Sequence, residues 1–111
     1  MRKVEKPWGH EIIWAENEKY VGKFMYIKPH SRMSLQYHIV KEETIYVQEG
    51  TLRVWHSEKE EDHTDLLPGS VYHVEPRKIH RFGATKKAVN LIEISTSELD
   101  DVVRIKDDYK R

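Results

Sequence analysis

The chain has no cysteine. Disulfides, thiolate-held metals and a cysteine nucleophile are thereby excluded, and a reducing compartment suits the composition. It also has no net charge, because 19 basic and 19 acidic residues cancel. Without a net field there is nothing to favour nucleic acid or an anionic membrane, so any recognition of phosphate has to be local. No run approaches the roughly 18 apolar residues of a membrane span. The opening Met1 to Pro7 lacks the apolar core of a secretory signal, and a cytoplasmic protein is expected. No repeat, low-complexity linker or Gly-rich nucleotide signature interrupts the 111 residues. That length fits one domain, 1–111, and nucleotidyl transfer is not expected of it.

What the sequence does have is short β-type runs separated by turn signals: His10 to Trp14, Tyr20 to Lys28, Ser34 to Ile39, Thr44 to Gln48, Leu52 to His56, Ser70 to Val74, His80 to Phe82 and Val89 to Ile94. This spacing predicts an all-β sandwich or barrel. Glu49-Gly50 is expected to turn a hairpin between the Thr44 and Leu52 runs. The charged stretch Ser57 to Asp65 is expected to form a solvated tip, with His56 and His63 on the surface. The segment from Ser97 to Arg111 is expected to give a helical turn followed by a closing strand. Around Lys23-Phe-Met-Tyr-Ile27 the hydrophobicity is nearly continuous, so alternation alone does not assign the interior face.

Gln36 and His38 are two residues apart on a strand and therefore aim at the same side. Glu43 opens the next strand and can face them, and His80 follows the turn at Glu75 to Lys78. Imidazole nitrogens, a carboxylate and an amide oxygen form a set that suits one divalent transition metal ion, Zn, Mn, Fe, Co or Ni, better than calcium. Four such ligands leave room for adjacent oxygens of a substrate on a five- or six-coordinate ion. Among the cations, Arg32 and Lys41 bracket the ligand strand and are candidates for binding a phosphate. Tyr72 and Tyr109 could position hydroxyls. Trp8, Trp14 and Trp55 read as core or interface aromatics, Trp8 also as a sugar-stacking wall. Apolar surface around Trp8 and Trp14, together with the exposed edges of an open sandwich, predicts a homodimer.

The stretch from His30 to Gly50 resembles the first cupin motif, which runs Gly, five residues, His-x-His, four residues, Glu, six residues, Gly. Gln36 takes the first His position and His30 the place of the leading glycine. Gly69 to His80 resembles the second motif, Gly, five residues, Pro-x-Gly, two residues, His, with Glu75 in the proline position, Pro76 shifted by one and Arg77 replacing the glycine. A narrower similarity runs through Lys6-Pro-Trp-Gly9, Ser34-Leu-Gln-Tyr-His38, Gly69-Ser-Val-Tyr72, Ile79-His80-Arg81, Ile92-Glu93 and the tail Glu98 to Tyr109. These segments resemble the cupin domain of type II phosphomannose isomerases, in which it usually forms the C-terminal part of a bifunctional enzyme.

The resemblance implies a jelly-roll barrel that binds a small molecule, a metal held by Gln36, His38, Glu43 and His80, and interconversion of mannose 6-phosphate and fructose 6-phosphate through an enediolate. Glu93 becomes the expected base, its pKa raised by burial, although a carboxylate paired with Lys or Arg to hold the sheet fits equally. Arg104 is the best-matched phosphate cation. The chain departs from the family at Ile39-Val40-Lys41 and Thr44-Ile45, where a basic bend and an aromatic are usual, and Lys41 lacks the bidentate fork of arginine. A non-catalytic cupin that binds a sugar or sugar nucleotide therefore stays open. So does oxygen or lyase chemistry on a two-His-one-carboxylate set.

Overall fold

Along Val21 to Ile27 the side chains alternate strictly between interior and surface, and the sequence hid this because both faces break the usual code. Lys23 points inward with Val21, Met25 and Ile27, while the aromatics Phe24 and Tyr26 point outward. The computed structural model describes residues 1–110. Its strands are β1 (Arg2–Lys6), β2 (Gly9–Glu16), β3 (Val21–Ile27), β4 (Leu35–Tyr37), β5 (Glu43–Glu49), β6 (Leu52–Trp55), β7 (His63–Leu66), β8 (Val71–Val74), β9 (Arg81–Ala84), β10 (Val89–Ser95) and β11 (Val103–Lys106).

One antiparallel sheet of six strands has the order β1-β2-β3-β10-β5-β8. Facing it are the sheet β7-β6-β9 and the pair β11-β4, joined through isolated bridges Gln36 to His80 and Arg32 to Gly83. Between the layers lie Met25, Ile27, Ile45, Val47 and Leu91 from the first sheet, and Leu52, Val54, Phe82 and Ala84 from the second. Burying each of the larger of these side chains is worth about 1.5–3 kcal/mol. The result is the expected jelly roll, and no helix of the described residues is long and apolar enough to cross a membrane.

Several local expectations change. Glu49-Gly50 does not close a hairpin: β5 already has β10 on one edge and β8 on the other, so the chain crosses at Gly50 into the opposite sheet, where β6 pairs with β7 and β9. The charged tip is shorter than expected, since His63 to Leu66 pair with β6 as a strand. β1 was not legible because an edge strand of Arg-Lys-Val-Glu-Lys has no apolar alternation. The tail forms tight turns around Ser97 to Val102 in place of a helical turn, and then the closing strand β11 on β4. Trp8 is buried in the core at 3 % exposure and offers no surface to a partner. Trp14 lies over Gly22 on the outer face, its ring 5.7 Å from that of Phe24.

That outer face carries a transverse apolar row. Ile12, Phe24, Ile92, Tyr46 and Val71 stand opposite one another across five strands, with Trp14 and Ile94 beside them.

Among the described residues, the two non-glycine residues with positive φ are His30 at 56° and Arg77 at 69°, the very positions where the cupin pattern has glycine. Left-handed backbone costs a residue with a Cβ on the order of 1–2 kcal/mol, so both carry a strain that the usual residue avoids. Arg77→Gly is expected to raise stability by about 0.5–1 kcal/mol, the strain relieved less the entropy cost of glycine. Gly50→Ala, at φ 82° with its new Cβ driven into the Ala88 carbonyl, is expected to lower it by about 1–3 kcal/mol. Urea denaturation of the two variants beside the parent checks both signs.

Candidate metal centre

Strand β4 and the segment before β9 are tied by reciprocal backbone bonds, Gln36 N–H to the His80 carbonyl at 3.0 Å and His80 N–H to the Gln36 carbonyl at 2.9 Å. This fixes His80 beside the strand that carries Gln36 and His38, while Glu43 comes from the start of β5 in the facing sheet. His38, Glu43 and His80 are all buried, and one ligand-type atom from each lies within 4.8 Å of the others.

The protonation pattern follows from the hydrogen bonds. His38 Nδ1 lies 2.6 Å from the Asp101 carbonyl and His80 Nδ1 lies 2.9 Å from the Lys78 carbonyl. A carbonyl only accepts, so both rings donate from Nδ1 and turn Nε2 inward. Those Nε2 atoms are buried without hydrogen-bond partners and face Glu43 Oε1 at 3.6 and 3.4 Å. Burial alone would push the Glu43 carboxyl up, but the two histidines and Lys41 outweigh it and hold the group well below its usual range. Two imidazole nitrogens and a carboxylate converging away from water suit a cation between them, and backbone carbonyls on the far ring nitrogens are the usual support of metal-binding histidines. The residues therefore fit a divalent ion. Gln36 lines the same cavity as His38, with its Oε1 accepting a hydrogen bond from the buried Ser34 hydroxyl at 2.8 Å.

A chain of buried charges leads away from this cluster. Lys41 Nζ lies 3.4 Å from Glu43 Oε2 and 3.5 Å from Glu93 Oε2; Lys23 Nζ lies 3.9 Å from Glu93 Oε2 and 3.2 Å from Glu11 Oε1. Burial, followed by the nearby Glu43, pushes the Glu93 carboxyl up to about 8 against the opposing pull of Lys41 and Lys23. Glu11, Lys23 and Lys41 form part of the wall of a cavity of about 90 Å³, together with Trp8, Gln36, His38, Lys6 and Arg104. Four cationic side chains thus surround one carboxylate, which suits an anionic ligand. A much larger open depression, about 940 Å³, lies at the other end of β5 by Gly50, Pro68 and Lys87. It contains none of the clustered metal-capable groups, and we place the chemistry in the smaller cavity.

The structure brings Gln36, His38, Glu43, His80, Lys41 and Arg104 together but leaves other expected site residues aside. Arg32 is spent on Asp108 at 2.6 Å and Glu60 at 2.8 Å, and lies 5.0 Å over the Trp55 ring, which fastens the tail to the β6–β7 tip. Tyr72 packs on Phe82 under the Lys78 ammonium and is not part of the cavity wall. Tyr109 packs against the core. Glu93 reaches the lysines but not the cavity surface.

Sequence reasoning overlooked Glu11, Lys23 and the role of Asp101. Charged residues at inward positions of otherwise apolar strands were the signal for the first two. Asp101 lay in the tail whose likeness was noticed, and its carboxylate accepts the N–H groups of Ile39 at 3.0 Å, Val40 at 2.7 Å and Lys41 at 2.8 Å. These bonds, led by that from Val40, hold its pKa down at about 2.

A double-stranded β-helix closed over a buried His/Glu/His group is the architecture of a cupin domain. Within that class, this chain belongs to the family described as mannose-6-phosphate isomerase C-terminal, whose model matches residues 1–107. A mannose-1-phosphate guanylyltransferase of Escherichia coli O157:H7 is 30 % identical over 98 % of this chain, which spans 23 % of that relative's length. Among solved structures, KdgF from Halomonas sp. superposes with TM-score 0.75 at 17 % identity, covering 90 % of this chain and 91 % of that one. A sugar phosphate isomerase of the cupin superfamily from Silicibacter pomeroyi gives 0.65 at 18 %, covering 78 % and 58 %.

Because the Asp101 carboxylate pins the 39–41 loop and so holds in place the backbone carbonyl that orients His38, Asp101→Ala is expected to weaken divalent metal affinity about 10- to 100-fold. Metal titration of chelator-stripped protein checks this.

Proposed function

We propose that this chain is a metal-dependent aldose-ketose isomerase of hexose 6-phosphates, interconverting mannose 6-phosphate and fructose 6-phosphate. The observation that carries the reading is the pair of unpartnered imidazole Nε2 atoms facing a buried carboxylate beside a cation-lined cavity, in a chain of the isomerase C-terminal family. His38, Glu43 and His80, with Gln36 beside them, would hold one divalent transition metal ion. When bound, such an ion acts as a Lewis acid and supplies several kcal/mol of stabilisation to charge developing on adjacent substrate oxygens.

The remaining work falls to the protein. A cavity of about 90 Å³ has room for about three waters, so it admits the reacting end of a hexose phosphate and leaves the phosphate at the mouth. Arg104 on β11 is exposed and Lys6 half-exposed at that mouth. A guanidinium there can bind phosphate through two parallel hydrogen bonds. Lys41 sits deeper, between Glu43 and Glu93, and contributes positive potential more than direct contact. Absence of cysteine suits a cytoplasmic setting, where we place the reaction.

A ligand-binding role without turnover is the second reading. It draws on the placement of Glu93, whose carboxylate lies behind the two lysines and away from the cavity.

The outer apolar row supports a homodimer, through a different surface from that expected of Trp8. The molecule measures 28 × 26 Å across its two shorter extents, so a face of that size offers roughly 700 Å², close to the ~800 Å² per partner of a standard interface. An apolar row that crosses five strands of an exposed sheet is the kind of patch that marks an interaction surface.

Metal-loaded protein incubated with mannose 6-phosphate in deuterium oxide is expected to exchange C2 hydrogen and form fructose 6-phosphate, and His80→Ala to do neither. No exchange above that control with mannose, glucose or fructose 6-phosphate would leave the binding role as the better reading. Light scattering over a concentration series is expected to give a dimer for the parent chain and a monomer for Phe24→Glu.

A further inference from the structure

Moving a proton between adjacent carbons requires a Brønsted base at the cavity surface. Glu93 is the base that family likeness suggests, yet its Oε2 lies 3.9 Å from Lys23 Nζ and 3.5 Å from Lys41 Nζ, and of these three side chains the two lysines line the cavity and Glu93 does not. Glu43 faces the histidines. Lys41 is an ammonium bracketed by two carboxylates. The remaining carboxylate on the cavity wall, among the described residues, is Glu11.

Its position is costly. Glu11 and Lys23 are 8 % and 6 % exposed on strands whose other inward residues include Ile13, Met25 and Val21. A buried ion pair of this kind seldom adds stability over apolar side chains of similar volume. Glu11 compensates the buried Lys23, and it also sets a carboxylate on the cavity wall, where a reaction at carbon needs one. Lys23 Nζ holds Glu11 Oε1 at 3.2 Å, and Trp8 supplies an apolar wall to the same cavity.

We propose that Glu11 is the catalytic base, and that Glu93 is the structural partner that Lys23 and Lys41 share. The assignment rests on the isomerase reading. In the aldose-to-ketose direction Glu11 takes the proton from C2. The C2–H electron pair becomes the C1–C2 double bond, and the carbonyl pair moves onto O1. The O2 hydroxyl proton ends on O1, O2 becomes the new carbonyl, and Glu11 returns its proton to C1. Composition is unchanged and no oxidant or reductant is needed.

The test compares metal-loaded Glu11→Gln, Glu93→Gln and the charge-neutral double variant Glu11→Gln/Lys23→Met with the parent chain. The double variant guards against a fold lost to an unpaired lysine. Three quantities are followed: C2 exchange of mannose 6-phosphate, bound metal, and the thermal shift produced by mannose 6-phosphate. Expected is a fall in exchange of at least about 100-fold in both Glu11 variants, with metal content and thermal shift retained, and a smaller fall in Glu93→Gln. Exchange that survives Glu11→Gln overturns the assignment and leaves the isomerase reading intact, as does loss of exchange in Glu93→Gln alone. Loss of the metal or the thermal shift along with exchange in both Glu11 variants also overturns it, since Glu11 would then be holding the site together. A parent chain that shows no exchange overturns the isomerase reading and the base assignment with it.

Discussion

The interior of this barrel is organised by one string of opposite charges, Glu11, Lys23, Glu93, Lys41 and Glu43, running from β2 across β3 and β10 to β5. Each ionised member would cost several kcal/mol to bury alone, so each depends on its neighbours. Three carboxylates and two ammonium groups do not balance. The one negative charge in excess is relieved at Glu93, whose carboxyl is pushed up to about 8. The apolar core fills the rest of the barrel, but the string decides where chemistry can occur.

The grouping of His38, Glu43 and His80 was legible from strand parity and motif spacing. Strand parity aligns Gln36 with His38, and the register of a jelly roll brings Glu43 and His80 to them. The burial of Glu93 could also be read from Leu91 and Ile92 beside it. What could not be read was the side from which Glu93 is reached, because that depends on two lysines contributed by other segments. Arg32 illustrates the same limit: its partners Asp108 and Glu60 lie 76 and 28 residues along the chain, and nothing near Arg32 in sequence reveals that its charge is already spent.

The turn at Gly50 misled for a related reason. A glycine in left-handed conformation between two apolar runs serves a hairpin and an inter-sheet crossing equally well, and only the occupied edges of β5 distinguish them. At His30 and Arg77 the opposite holds. Residues unsuited to positive φ occupy two bends of the cupin pattern, and the surrounding bonds, such as Arg77 N–H to the His38 carbonyl at 2.6 Å, impose the geometry that glycine usually supplies.

The bond from His38 Nδ1–H to the Asp101 carbonyl joins residues 63 positions apart. During synthesis the Gln36-x-His38 strand emerges long before the group that orients it. A nascent chain therefore displays metal-capable side chains without a fixed tautomer or ring direction, and an ion met at that stage finds only loose ligands. The arrangement of the candidate metal centre is therefore completed late, when the tail folds back and β11 pairs with β4.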